Sequence, residues 1–149
     1  MYDVIIIGAG PAGLFTAYEL IEKNSKLKVA IIERGPKVAS RGCPMNKNGV
    51  PCQNCNPCGI LSGYGGAGTF SDGKLNFIPR LGKSDLTKYM SESEEKTFID
   101  DTEKIFTKFK MDAEIYPSNM KEAEEIRKKL AISGGKLLVI KQKHLGSDH

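Results

Sequence analysis

"YDVIIIGAGPAGLFTAYELIEKNSKLKVAIIERG", Tyr2 to Gly35, divides into three pieces. Tyr2 to Ile7 is a short apolar, β-branched run. Pro11 to Glu22 carries Leu14, Ala17, Tyr18 and Ile21 at helical spacing, and Lys28 to Glu33 is a second β-branched run. The pattern predicts strand, helix, strand, with the two strands parallel. Between the first strand and the helix stands "GAGPAG", which places Gly8, Gly10 and Gly13 in the spacing G-x-G-x-x-G. Each glycine has a distinct physical task. Gly8 permits a tight turn, Gly10 lets the backbone approach a pyrophosphate with no Cβ in the way, and Gly13 lets helix and strand pack closely. Pro11 and Ala12 open the helix, whose unpaired N–H groups and positive end then face the anion.

Glu33 closes the second strand about 20 residues beyond Gly13, where an acid can accept hydrogen bonds from the adenosine ribose hydroxyls. A carboxylate there would repel a 2′-phosphate, which argues against NADP. Arg34 is placed either to stack on adenine or to face solvent. The fingerprint specifies an ADP half and leaves open what is attached to it, because NAD and FAD share that half.

These residues carry a resemblance. "YDVIIIGAGPAGLFTAYEL" with "VAIIERG" resembles the N-terminus of two-dinucleotide-fold FAD-dependent oxidoreductases. More narrowly, "RGCP" at Arg41 to Pro44 and "CQNCNPCGILSGYGGAGTFSDGKLNF" at Cys52 to Phe77 resemble the bacterial family of uncharacterised FAD-dependent dehydrogenases, with "KHLGSDH" at 143–149 a looser match. The resemblance implies a Rossmann-like α/β fold, bound FAD, and hydride chemistry on a small-molecule substrate of unspecified identity. Such proteins run to several hundred residues. The expectation is therefore an N-terminal portion: a β-α-β unit over 1–35, Cys/Gly-rich cofactor-proximal loops over 36–80 and helical segments with a strand over 81–149, completed by the rest of the same protein. A non-catalytic nucleotide- or metal-binding module and an NAD-binding domain are the alternatives.

"GYGGAGTFSDGK", Gly63 to Lys74, is a second glycine-dense loop. Its consecutive small residues can turn N–H groups toward anionic oxygens, with Ser62, Thr69 and Ser71 adding hydroxyls. It is not a Walker A loop, because the spacing before Lys74 is wrong and Asp72 would oppose a phosphate. In the resembling family this segment lies near the cofactor, which implies that Gly65, Gly66, Ala67 and Gly68 approach the ribityl and ring region of FAD; a tight structural loop is the other reading. Asp72 and Lys74 can be nominated for acid–base work, but each reads equally as a loop charge.

All four cysteines fall between these glycine segments. Cys52, Cys55 and Cys58 are separated by two-residue gaps, with Cys43-Pro44 upstream. That density suits an iron–sulfur cluster or zinc, although the distant Cys-Pro precedes the triplet instead of following it. Unmetallated thiols and a flavin-coupled dithiol are the competing readings. His144 and His149 lie far along the chain and read as surface or structural residues.

The 149 residues are 40% hydrophobic and 27% charged, values ordinary for a globular protein, with a formal charge of +4. No apolar run approaches the roughly 20 residues of a membrane span. The chain opens without the basic and apolar regions of a signal peptide, so a cytoplasmic location and reduced thiols are expected. Acids and lysines interleave in "EEKTFIDDTEKIF" and "KEAEEIRKKL", which read as solvated helix faces and not as a nucleic-acid surface. Ser91 with Glu94 forms a candidate capping box ahead of a stripe of Phe98, Ile105, Phe106 and Phe109. Asn119 is a candidate cap for a helix through Ala123, Ile126 and Leu130. "SGG" at 133–135 should stop it, and "KLLVIK" at 136–141 reads as a strand. Both stripes are expected to be core.

Overall fold

A computed structural model describes residues 1–145. The chain is a mixed α/β protein with small sheets, divided into two compact units that meet in sequence between Ser71 and Asp72. Among the described residues no helix is long and apolar enough to cross a membrane.

The first unit opens as its sequence predicts. Strand β1 (Val4–Ile7) and strand β2 (Val29–Ile32) pair in parallel, Val4 with Val29 through Ile7 with Ile32, and helix α1 (Pro11–Lys23) makes the crossover. Val4 and Ile6 are partly covered, whereas Ile5 and Ile7 on the alternate face are 57% and 78% exposed. Along α1, Ala17 is buried, while Leu14 and Ile21 remain 41% and 46% exposed. The long stretch after β2 is mostly irregular, as its Gly/Pro/Asn content predicts. It holds a 3₁₀ turn (Val38–Ser40), the short helix α2 (Pro44–Asn48) and a second 3₁₀ turn (Gly66–Phe70).

In the second unit, strand β3 (Lys74–Asn76) pairs antiparallel with strand β6 (Gln142–His144), and strands β4 (Arg80–Leu81) and β5 (Ser84–Asp85) form a two-residue ladder. Helix α3 (Glu92–Lys108) starts at the expected capping box: the Ser91 hydroxyl accepts from the Glu94 N–H, and the Glu94 carboxylate accepts from the Ser91 N–H at 2.8 Å. Helix α4 (Met120–Ile132) starts at Asn119, whose side chain accepts from the N–H groups of Lys121 and Glu122. Met111 and Phe77 are buried here. Lys143 is buried as well, its ammonium 3.1 Å from Glu103.

Two expectations are corrected. The strand expected at 136–141 lies later, at Gln142–His144, because β3 supplies ladder partners only for those residues and the Phe77 N–H reaches back no further than the Lys141 carbonyl. Residues 137–140 instead line a cavity of about 390 Å³ beside Ala123 and Ile126 of α4. The helix stripes are only partly core: Phe98 and Phe109 are 60% and 64% exposed, and Ile126 is 51% exposed. Phe98 and Ile126 lie within α3 and α4 as the spacing predicts, whereas Phe109 is the residue that caps the C-terminus of α3. His149 and the end of the "KHLGSDH" match lie outside the described residues.

Candidate functional site

The turn between β1 and α1 is built by its glycines. Gly8 has φ +100°, a value that only glycine adopts without strain, and its N–H donates to the Ile32 carbonyl at 2.7 Å, locking the turn to the end of β2. A Cβ on Gly13 would lie 2.0 Å from the Gly8 carbonyl oxygen, so helix and turn are in backbone contact. A Cβ on Gly10 would meet nothing within 4 Å; that side of the turn is open.

Gly10 is the N-cap of α1 and offers no capping side chain. Pro11 occupies the first turn, and no acid stands in that turn. The N–H groups of Ala12 and Gly13 therefore sit at the positive end of the helix with no side-chain oxygen from the cap to satisfy them. This arrangement suits an anion.

The second glycine loop packs on the same turn. The Gly65 N–H donates to the Ala9 carbonyl at 2.9 Å, and a Cβ on Gly66 would stand 3.2 Å from Gly10 Cα and 3.3 Å from Pro11 Cδ. Ala67 and Gly68 follow on the exposed side of the 3₁₀ turn. The structure thus brings together Gly8, Gly10, Pro11, Ala12, Gly13, Gly65 and Gly66 around one backbone-lined opening.

Glu33 joins both loops. Its Oε2 accepts from the Ala9 N–H at 2.8 Å, and its Oε1 accepts from the N–H groups of Gly35 and Gly63 at 2.7 and 3.1 Å. The bond from Ala9 is the largest of several that hold its pKa below the usual glutamate range, with Gly35 next. Sequence reasoning gave Glu33 a ligand role; its part as a clasp between β2, the fingerprint turn and the glycine loop is legible only in three dimensions. Arg34 is exposed.

Glu33→Gln should lower the melting temperature at pH 7, because one amide oxygen cannot accept all three N–H groups and the amide NH₂ meets them donor to donor. The sign with pH follows from the depressed pKa. The carboxylate's contribution is full above the unfolded value of about 4.3 and is lost as pH falls through the lower folded value. Melting curves of parent and variant should therefore converge in acid; a gap that is constant down to pH 3 would contradict the clasp.

Sequence reasoning missed Arg41. It is 9% exposed; Nε donates to the Gly59 carbonyl at 2.9 Å, Nη2 to Ile60 at 2.5 Å, and Nη1 to the Tyr64 carbonyl at 2.7 Å and Thr69 Oγ1 at 3.0 Å. The guanidinium also lies 4.8 Å from the centre of the Phe70 ring. One side chain thereby gathers the strand of loop from Gly59 to Phe70 that carries Gly65 and Gly66.

The cysteines are all free thiols, Cys43 and Cys58 half-buried and Cys52 and Cys55 exposed. Among the described residues no group of three or more His, Cys, Asp or Glu side chains is placed to hold a metal. The iron–sulfur or zinc expectation for Cys43, Cys52, Cys55 and Cys58 is thus not supported: close spacing along the chain does not by itself bring three thiols together in space. In the second unit Asp72 and Lys74 form an exposed ion pair with each other at 2.8 Å. The hydrogen bond from Lys74 is the main reason the Asp72 pKa lies below the usual carboxylate range. His144, also exposed, stands 3.9 Å from the same carboxylate.

The family model for FAD dependent oxidoreductases matches residues 3–130, which include the fingerprint, Glu33 and the glycine loop. The chain belongs to this family. It is 38% identical over 52 residues to a mitochondrial L-2-hydroxyglutarate dehydrogenase of Dictyostelium discoideum, a match spanning 35% of this chain and 12% of that protein. It is 51% identical over 41 residues to a mitochondrial electron transfer flavoprotein-ubiquinone oxidoreductase of Arabidopsis thaliana, spanning 25% of this chain and 6% of that one. No solved structure matches. The chain thus matches only a small part of the length of these curated relatives.

Proposed function

We propose that this chain is the N-terminal, FAD-binding portion of a flavin-dependent dehydrogenase with a Rossmann-like cofactor fold. The observation that carries the reading is the opening at Gly10: an uncapped helix start, with no protein atom within 4 Å of the missing Cβ and the Gly65–Gly66 backbone packed alongside. A pyrophosphate fits this cradle, held by the N–H groups of Ala12 and Gly13. Glu33 Oε2, which accepts one N–H, keeps a lone pair for a ribose hydroxyl. Ala67 and Gly68, on the exposed side of the second loop, are assigned to the rest of the cofactor, and Arg34 to the adenine end.

Bound FAD supplies the two-electron, hydride-accepting chemistry. The residues of this chain bind and orient it, and none is assigned a proton transfer. The uncovered Ile5/Ile7 face supports a further layer from another part of the same protein, because parallel sheets are ordinarily buried on both faces. The name of the Dictyostelium relative, a dehydrogenase of a small hydroxy acid, supports oxidation of a small-molecule substrate whose identity is left open.

Titration of the purified chain with FAD, ADP, NAD⁺ and NADP⁺, followed by calorimetry and flavin fluorescence, tests the reading. FAD and ADP should bind, and NADP⁺ should bind more weakly than NAD⁺ because Glu33 opposes a 2′-phosphate. Binding of NAD⁺ in preference to FAD would replace the proposal with a nicotinamide-binding domain.

A further inference from the structure

Residues 43–58 leave the body of the first unit as an irregular excursion whose two ends meet. A Cβ on Gly59 would lie 2.3 Å from the Gly42 carbonyl oxygen and 3.2 Å from the Gly42 nitrogen, so the two backbones touch at a narrow neck. Cys43 and Cys58 stand immediately inside it. Both are half-buried, whereas Cys52 and Cys55 are exposed farther along the excursion.

Cys58 differs from the other three in its surroundings. The Ser62 N–H closes a turn on the Cys58 carbonyl at 2.8 Å, so the thiol stands at the start of a tight turn that also carries the N–H groups of Ile60 and Leu61. Arg41 is bonded to the carbonyls of Gly59 and Ile60, within that same turn, and its other hydrogen bonds go to the Tyr64 carbonyl and the Thr69 hydroxyl, all neutral oxygens. The guanidinium is thus tied to the turn that begins at Cys58, and among the described residues no carboxylate bonds to it. The Leu61 N–H, then the Ile60 N–H and the Arg41 charge, hold the Cys58 thiol below the usual cysteine range. A half-buried thiol beside N–H donors and a guanidinium is the setting in which cysteines become nucleophiles.

We propose that Cys58 is the nucleophile of a thiol–disulfide exchange site at the neck of the excursion, with Cys43 as its second thiol and small-molecule disulfides as its oxidising substrates. The Cys58 thiolate attacks one sulfur of the disulfide, forming a mixed disulfide and expelling one small thiolate. Cys43, having given its proton to solvent, then attacks Cys58 Sγ and expels the second small thiolate. The two protein thiols lose two protons and two electrons, and the small disulfide gains the two electrons as its S–S bond breaks. The product bond would staple the excursion where its ends already meet. The site does not depend on the cofactor.

The test uses the complete 149-residue chain, reduced, treated with chelator and freed of both reagents. It is exposed to glutathione disulfide, quenched at intervals with a thiol alkylator and mapped by peptide mass spectrometry. Cys58 should be modified first, at least about tenfold faster than Cys52 or Cys55, and a Cys43–Cys58 disulfide should follow. Cys43→Ser should stop at the glutathione adduct on Cys58. Cys58→Ser should remove the fast phase. Equal reactivity of the four thiols, a disulfide between another pair, or a retained metal that shields all four would overturn the proposal. Should either variant misfold, the order in which thiols disappear in the parent protein decides the question alone.

Discussion

Gly10→Val is expected to abolish binding of FAD and ADP while leaving the chain folded, whereas Gly13→Val should unfold the β-α-β unit. The two substitutions are chemically identical and three residues apart, and the structure separates them by what the new side chain meets. Gly10 has φ −76° and ψ 179°, extended backbone that valine adopts readily, and a Cβ there touches no protein atom. The added methyls therefore cost little within the protein and fill the space reserved for an anion at the helix start. Affinity should fall by at least about 100-fold, roughly 3 kcal/mol. At Gly13 the Cβ would stand 2.0 Å from the Gly8 carbonyl oxygen and 3.3 Å from Ile6 Cγ2. The turn would have to move off the helix, at about 3 kcal/mol or more. Circular dichroism with calorimetric titration distinguishes the outcomes. A Gly10→Val protein that binds FAD like the parent would remove the fingerprint from the proposed function.

What could be read from the sequence follows how far each interaction reaches along the chain. The G-x-G-x-x-G turn, the α1 crossover and the caps at Ser91 and Asn119 are local: partners lie a few residues apart, and residue type alone selects the geometry. Glu33 was legible as an acid at the end of a strand. Its bonds to Ala9 and Gly63, 24 and 30 residues away, were not, because any residue supplies an N–H. The same reason hid Arg41, whose acceptors are mainly carbonyls 18 to 23 residues onward. The apolar stretch 137–140 has strand-like composition, but pairing is decided by the partner, and β3 offers ladder positions only from Gln142 onward. The four cysteines show the converse, a local pattern that the fold does not gather into a site of three or more ligands among the described residues. Their spacing is a property of the chain, whereas ligation needs the thiols to converge in space, which residue spacing alone does not decide.

Arg41 is the residue on which the second half of the candidate site depends. Three main-chain carbonyls and the Thr69 hydroxyl converge on its guanidinium from Gly59, Ile60, Tyr64 and Thr69, and Phe70 lies against its face. Arg41→Leu keeps much of the apolar stem contact but leaves those carbonyls without a donor in a part-buried setting, at about 3 kcal/mol. Arg41→Lys keeps the charge and should rescue little, because an ammonium is a point donor and cannot span acceptors laid out for a planar fork. The loss should be regional. Gly8, Gly13 and the β1–β2 ladder do not use Arg41, so hydrogen exchange should accelerate across residues 59–70 in both variants while β1, α1 and β2 keep their protection. Because Gly65 and Gly66 reach the fingerprint turn from that same loop, FAD affinity should fall while ADP affinity changes less, the ADP half being held mainly by the helix start. Equal losses of FAD and ADP would place the Arg41-held loop at the ADP half instead. Unchanged exchange at 59–70 would mean that the glycine loop is held by its contacts with Ala9, Gly10 and Glu33 without needing the guanidinium.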